Sequence, residues 1–268
     1  MRILNGSDLA GFIKERQAHQ VRGLIQAHGV TPQLAIVQTV HTPVIDTYVA
    51  LKKAYGADIQ IIVTPYVIEQ SEALETIKKL NADKAVHGII VQLPVADPVQ
   101  TDELVNAVDP AKDVDGLGKN PAFDPATPTA INWLLAGYNV ELRQKNIVIV
   151  GQGRLVGAPL ATLLRESGLN VQTADASTED LGAVTRQADI LISATGQPGL
   201  IQSDMIKPNA VVVDAGVATD AGKIVGDLAA DVRERGDLTI TPQKGGVGPL
   251  TVCSLFENVI QAARQASA

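Results

Sequence analysis

The chain has 268 residues, 46% hydrophobic and 3% aromatic, with 22 Lys+Arg against 29 Asp+Glu for a formal net charge of -7. That length suits one large domain or two ordinary ones, and the hydrophobic fraction excludes wholesale disorder. The acidic balance argues against a generic nucleic-acid binder, and a single cysteine, Cys253, excludes a disulfide framework or a cysteine-based zinc cluster.

The residues after Met1-Arg2-Ile3-Leu4-Asn5-Gly6 are charged, unlike a secretion signal, and no apolar run is long enough to span a bilayer. A cytoplasmic protein without membrane contact is expected. Ser7 is placed to cap a first helix, with an apolar stripe at Leu9, Phe12, Ile13, Val21 and Leu24. Leu34 to Val37 reads as a strand, Pro43 to Tyr55 as a helix, Ile59 to Val63 as a strand, Glu72 to Leu80 as a helix and Gly88 to Val91 as a strand. Strands that are apolar throughout and alternate with helices predict a mainly parallel α/β sheet. A Pro- and Gly-rich stretch from Asp109 to Pro128 marks a domain boundary. Beyond it come a helix at Thr129 to Ala136 and strands at Ile147–Val150, near Val171, at Ile190–Ile192, at Val211–Val213 and near Ile240. The end, from Pro249 through Ala262, reads as helix.

Gly151-Gln152-Gly153-Arg154-Leu155-Val156-Gly157 follows a strand and opens a helix. Small residues there let backbone N–H groups approach a pyrophosphate, which the helix dipole favours. The spacing is GxGxxxG rather than GxGxxG. Asp175 stands at the end of the next strand, 24 positions after Gly151, near the roughly 20 of an acid that binds ribose hydroxyls. A plain strand–helix turn also fits the glycines, and a helix cap or loop acid also fits Asp175. Thr195 and Gly196 end a later strand, where a dinucleotide crossing the sheet edge would pass.

Tyr48 and Lys52 are four apart on a helix and share a face. A lysine desolvated beside a ring has its pKa lowered and suits proton transfer, although such a pair also fits an ordinary amphipathic surface. Gln92 follows the buried strand Gly88 to Val91, and Asp115 lies in Lys112-Asp113-Val114-Asp115-Gly116. A strand-end hydrogen bond for Gln92 and an Asx-turn for Asp115 are the plain structural alternatives.

Taken together, Tyr48-Val49-x-x-Lys52, Gly88 to Pro94, Lys112 to Gly116, Val156-Gly157-Ala158-Pro159 and Gly245 to Thr251 resemble the bifunctional methylenetetrahydrofolate dehydrogenase/methenyltetrahydrofolate cyclohydrolase family, almost end to end. The resemblance implies oxidation of 5,10-methylenetetrahydrofolate with NAD or NADP and hydrolysis of the methenyl product to 10-formyltetrahydrofolate. It implies two α/β lobes with mainly parallel sheets and an active-site cleft between them, the second lobe Rossmann-like. Residues 1–120 would form the folate domain, with helix 250–268 packing back on it, and residues 121–249 the NAD(P) domain. Lys52 would be the acid/base tuned by Gln92, Tyr48 would pack on the folate, and Asp115 would bind the pterin. Gly248 and Pro249 would also touch the folate. Gly151, Gln152, Gly153, Arg154, Gly157, Asp175, Thr195, Gly196 and Gly246 would line the cofactor. A homodimer is implied as well.

Several positions depart from the family pattern. Gly151-Gln152-Gly153 replaces Gly-Arg-Ser, and Asp175-Ala176 replaces a His-Ser pair that serves the 2′-phosphate of NADP. These residues lean to NAD against the NADP habit of bacterial relatives, with Arg154 as the counterweight. Ile45 stands for Ser, Thr39-Val40 for Val-Gly, Ala126 and Ala130 for Cys and Gly, and Gln243-Lys244 for Val-Pro. They open the alternatives of a dehydrogenase without cyclohydrolase activity and of a non-catalytic binding module. No metal is expected, since His19, His28, His41 and His87 lack ligand spacing.

Overall fold

A computed structural model describes residues 1–220 and 223–267. The first half of the chain runs β1 (Arg2–Ile3), α1 (Gly6–His28), β2 (Gln33–Gln38), α2 (Pro43–Asp58), β3 (Ile62–Val67), α3 (Ala73–Ala82), β4 (Gly88–Val91), α4 (Thr101–Asn106) and α5 (Ala126–Gly137). The second half runs β5 (Ile147–Val150), α6 (Gly157–Glu166), β6 (Val171–Ala174), α7 (Leu181–Thr185), β7 (Ile190–Ser193), β8 (Val211–Asp214), β9 (Ala218–Asp220), β10 (Lys223–Val225), β11 (Thr239–Ile240) and α8 (Val247–Ser267). Two compact units divide these elements, one of Gly11–Ala126 with the residues from Val252 onward, the other of Met1–Ala10 with Thr127–Thr251.

The first unit holds a three-stranded parallel sheet in the order β3-β2-β4. The strand period of two sorts its side chains cleanly. Leu34, Ile36 and Ile90 join a core with Val21, Leu24, Val49, Phe256, Val259 and Ile260, whereas Ala35, Val37, Ile89 and Val91 join one with Ile77, Leu80, Leu104 and Val105. Helices therefore cover both faces of the sheet, which is why β2 and β4 are apolar without alternation. Helix α2 begins as its Pro43 foretells: Thr42 is the N-cap, and its Oγ1 accepts from the Ile45 amide at 3.2 Å.

The second unit holds six parallel strands in the order β1-β11-β8-β7-β5-β6. From β5 the chain goes outward to β6, then returns to the other side of β5 as β7. That reversal is a topological switch point, and crevices at the carboxyl ends of such strands receive ligands in α/β proteins.

Local readings differ from the structure in a few places, each with a cause. The amide of Ser7 donates to Asn5 Oδ1 at 3.0 Å, so Asn5 serves the first turn of α1 where Ser7 was expected to cap it. The strand expected at Ile59 to Val63 starts only at Ile62. Ile59 and Ile61 are buried as the chain leaves α2, with Gln60 left-handed at φ 64 and the Ile61 amide returning to Gly56 O at 2.8 Å. Their apolar character belongs to a helix end rather than to a pleat. Helix α8 starts at Val247, ahead of Pro249, because proline fits a first turn that needs no amide there. Its last expected residue, Ala268, lies outside the described residues. The sequence places residues 1–10 with the first lobe, yet β1 pairs with β11 through Arg2↔Thr239 and Ile3↔Ile240 in the second unit.

Candidate functional site

In the first unit the polar side chains collect at the carboxyl ends of β2 and β4. Gln92 is the first residue beyond β4, and its backbone amide still donates to Val37 O at 2.8 Å. Its side-chain amide donates to Leu93 O at 3.0 Å, which aims Oε1 the other way. That oxygen accepts from Lys52 Nζ at 2.9 Å. Tyr48 and Lys52 are partly buried on α2, while Ala50, Leu51 and Lys53 are exposed.

Burial drives the Lys52 pKa below its ordinary value, with the Asp115 carboxylate opposing the shift. Burial also pushes Asp115 up to about 6, with Lys52 holding it down. Tyr48 is raised by burial. A lysine and a carboxylate thus sit where neither charge is well solvated, each moved toward its neutral form. Groups displaced in this way by burial and by each other mark a candidate site for proton transfer.

The loop that delivers Asp115 explains its neighbours. Lys112 Nζ donates to Leu80 O and Asn81 O at 3.1 and 2.8 Å and to Asp83 O at 2.6 Å, closing the end of α3. The Asp113 carboxylate receives the amides of Gly116 and Gly118 at 3.1 and 2.8 Å. Val114 is buried in the core, and its carbonyl accepts from Asn258 Nδ2 at 2.9 Å. Gly116 is left-handed at φ 68, and a Cβ there would lie 2.9 Å from the Pro125 backbone. Four residues of Lys112 to Gly116 therefore build the turn, which leaves the Asp115 side chain as the one not spent on it.

Two contacts escaped the sequence reading. Gln38, the buried last residue of β2, donates to Val40 O at 3.0 Å and Asp46 Oδ1 at 2.9 Å, pinning the loop into α2. A glutamine ending a buried strand, as Gln92 nearly does, is the signal that marks it. Thr39 Oγ1, one of the departures, accepts from the Ala96 amide at 3.1 Å. Ile45 packs in the core beside Val49, so its side chain serves packing.

In the second unit Gly151 is left-handed at φ 94, and a Cβ on it would lie 2.6 Å from Ala194 O. A Cβ on Gly157 would lie 1.8 Å from Gly151 O. The two glycines therefore bring the turn after β5 against both the first turn of α6 and the end of β7. Gly153 is different, since a Cβ there would meet nothing within 4 Å. Gln152 Nε2 donates to Gly151 O at 2.9 Å, and Arg154 is exposed. Asp175, just past β6, accepts the Ser177 amide and hydroxyl at 2.9 and 2.6 Å, which hold its carboxyl below the usual range. Thr195 and Gly196 follow β7, where Thr195 Oγ1 accepts from the Gln197 amide at 3.1 Å. Gly246 sits against Thr241, and its carbonyl lies 1.8 Å from where a Gly6 Cβ would be, whereas Gly248 is exposed in the first turn of α8 beside Pro249.

Among the described residues no group of three or more His, Cys, Asp or Glu is placed to hold a metal, and no helix is long and apolar enough to cross a membrane.

Residues 4–115 match the family model of the tetrahydrofolate dehydrogenase/cyclohydrolase catalytic domain, and residues 125–267 that of its NAD(P)-binding domain. The bifunctional protein FolD of Lactobacillus helveticus is 39% identical over 280 residues, covering 98% of each chain. The crystal structure of FolD methylenetetrahydrofolate dehydrogenase/cyclohydrolase from Campylobacter jejuni superposes with a TM-score of 0.92 at 35% identity, covering 99% of each chain. A Trypanosoma brucei methylenetetrahydrofolate dehydrogenase-cyclohydrolase, solved with NADP and an inhibitor, gives 0.89 at 31% identity, covering 98% of this chain and 97% of its own.

The raised pKa of Asp115 carries a stability consequence. Between 3.8 and about 6 the folded protein keeps a proton that the unfolded chain has released, so stability falls as pH rises through that window. Asp115→Asn removes the penalty. At about pH 8 it should stabilise the protein by about 3 kcal/mol, several degrees in Tm, and at about pH 4 by little. Thermal melts of both proteins at the two pH values check it.

Proposed function

The chain belongs to the tetrahydrofolate dehydrogenase/cyclohydrolase family, and on that premise we propose which residues carry its chemistry. It oxidises 5,10-methylenetetrahydrofolate to the 5,10-methenyl form with a nicotinamide cofactor and hydrolyses that product to 10-formyltetrahydrofolate. Folate handling is assigned to residues 11–120 with helix 250–268, and cofactor binding to residues 121–249 together with residues 1–10, whose β1 completes the sheet.

The observation that carries the assignment is the 2.9 Å bond from Lys52 Nζ to an amide oxygen whose direction is fixed by Leu93 O. Lys52 is thereby held at one place with its charge disfavoured. In its neutral form it takes the proton of a water adding to the methenyl carbon. In its charged form it returns that proton to N5 as the bond from N5 to that carbon breaks, and the hydroxyl left on that carbon releases its own proton to solvent as it becomes the formyl carbonyl on N10. Asp115, when ionised, accepts from the donor-rich amino-pyrimidine edge of the pterin, and the ring of Tyr48 offers a face to the flat heterocycle. Gly248 and Pro249 are assigned to the folate as well.

The second unit fits a dinucleotide at its switch point. Gly153 leaves open space where a backbone can approach a pyrophosphate, and no side chain caps the first turn of α6. Gly151, Gln152, Gly153, Arg154, Gly157, Thr195, Gly196 and Gly246 are assigned to that cofactor. The bound nicotinamide supplies the hydride acceptor. Asp175, ionised and exposed at the end of β6, suits a free ribose diol and repels a 2′-phosphate, so NAD is preferred.

A cytoplasmic homodimer completes the reading. Edge strand β3 exposes Ile62 and Val67, apolar surface that a second copy would cover.

Three measurements test these assignments. Lys52→Met should slow hydrolysis of the methenyl compound by at least about a hundredfold, and an unchanged rate removes Lys52 from its role. Dehydrogenase kcat/KM should be higher with NAD than with NADP, and the reverse order overturns the part given to Asp175. Light scattering should return about twice the 28.1 kDa chain mass, against a single mass if β3 is not an interface.

A further inference from the structure

Asp227 is a buried carboxylate with no place in the proposed chemistry, and its contacts end at the cofactor edge of the second unit. One oxygen, Oδ2, accepts both the Ser193 hydroxyl at 2.6 Å and the Thr195 amide at 2.7 Å. Among the described residues the other, Oδ1, has no hydrogen-bond partner. A carboxylate without exposure that leaves half its accepting capacity unused is a poor choice for stability alone.

Its surroundings keep it aimed. The Asp227 amide donates to Asp214 Oδ1 at 2.9 Å, and its carbonyl accepts from the Ile201 amide at 3.1 Å. Arg233 binds Asp214 Oδ2 at 2.8 Å and Thr241 O at 3.0 Å. A Cβ on Gly216 would lie 2.0 Å from Asp227 Oδ1, and one on Gly226 2.0 Å from Asp214 Oδ2, so both acids fill spaces that only glycine leaves.

The two groups that Asp227 holds flank Ala194, whose carbonyl lies 2.6 Å from where a Gly151 Cβ would be. Gly196, next after Thr195, is left-handed at φ 67. The chain from Ser193 to Gly196 thus forms the β7 side of the switch-point crevice; the ladder bonds from the Ala194 amide to Val150 O and from the Ala215 amide to Ser193 O hold its start, and Asp227 Oδ2 holds the Ser193 hydroxyl and the Thr195 amide where it leaves the sheet. We infer that Asp227 is a positioning residue for the nicotinamide cofactor, acting through the Ser193–Gly196 backbone without touching the cofactor itself. The inference rests on the proposed cofactor site.

The two activities provide the test, because hydrolysis of a supplied methenyl compound consumes no nicotinamide. Asp227→Ala should raise the cofactor KM by about tenfold, change kcat by less, and leave hydrolysis within about twofold. Asp227→Asn keeps an acceptor oxygen in the same place and should restore most of the loss. Ser193→Ala, which removes one donor and spares the Thr195 amide bond, should raise the cofactor KM by a smaller factor and covers the case in which Asp227→Ala does not fold. An unchanged cofactor KM in Asp227→Ala, or in Ser193→Ala where that variant does not fold, overturns the inference. So does a parallel loss of both activities in Asp227→Asn and Ser193→Ala, which makes the network a folding element only. Asp175→Ser separates the two levels: if it shifts the NAD to NADP ratio while the Asp227 variants do nothing, the inference alone falls. If it too leaves cofactor kinetics unchanged, the cofactor site itself is misplaced.

Discussion

Parallel strands sheathed on both faces impose the constraint from which the rest follows. Their interior positions admit only apolar side chains, because a polar group there would lose water without gaining a partner. Polar chemistry is therefore pushed to the carboxyl ends of the strands. Gln38 ends β2, Gln92 follows β4, Gly151 follows β5, Asp175 follows β6 and Ser193 ends β7. Each stands within a residue of where its strand leaves the sheet.

Within that constraint the first unit places two opposite charges where neither is comfortable. An isolated buried lysine would lose its proton, and an isolated buried aspartate would keep one. Lys52 and Asp115 restrain one another from those limits. Gln92 adds direction without adding charge, since its oxygen accepts from Lys52 whichever way Asp115 titrates. The second unit works by the opposite means. Its turns are shaped by glycines that let backbones touch, and of its acids Asp175 is exposed while Asp214 is locked in hydrogen bonds.

Most of this was legible in the sequence wherever a short-range pattern carries the information. Apolar strands between helical periods, the proline opening α2 and the glycines after β5 all report local requirements. What escaped depends on contacts that no local pattern encodes. The strand β1 is two residues long, and only pairing with β11 makes it a strand. Ile59 and Ile61 resemble strand residues but are buried at a helix end. The separation of labour among Lys112, Asp113 and Asp115, three charged residues within four positions, emerges only once Leu80 and Gly118 are seen beside them. Gly246, assigned to the cofactor, packs its carbonyl where a Cβ on Gly6 would stand, so it is Gly6 whose lack of a side chain that contact requires.

The way the last helix enters the first unit bears on how the chain is made. Phe256, Val259 and Ile260 complete the core beneath β2, and Asn258 holds the carbonyls of Val114 and Asp124 at 2.9 and 3.0 Å. These residues are synthesised well after those they complete, Asn258 coming 144 positions after Val114. The loop carrying Asp115 is thus without its anchor until α8 has been made, and the first unit acquires its full core only then. The second unit, by contrast, has its β1 at the outset and all its remaining strands before α8 begins. Vectorial synthesis therefore completes the strands of the second unit before the first unit has its final helix.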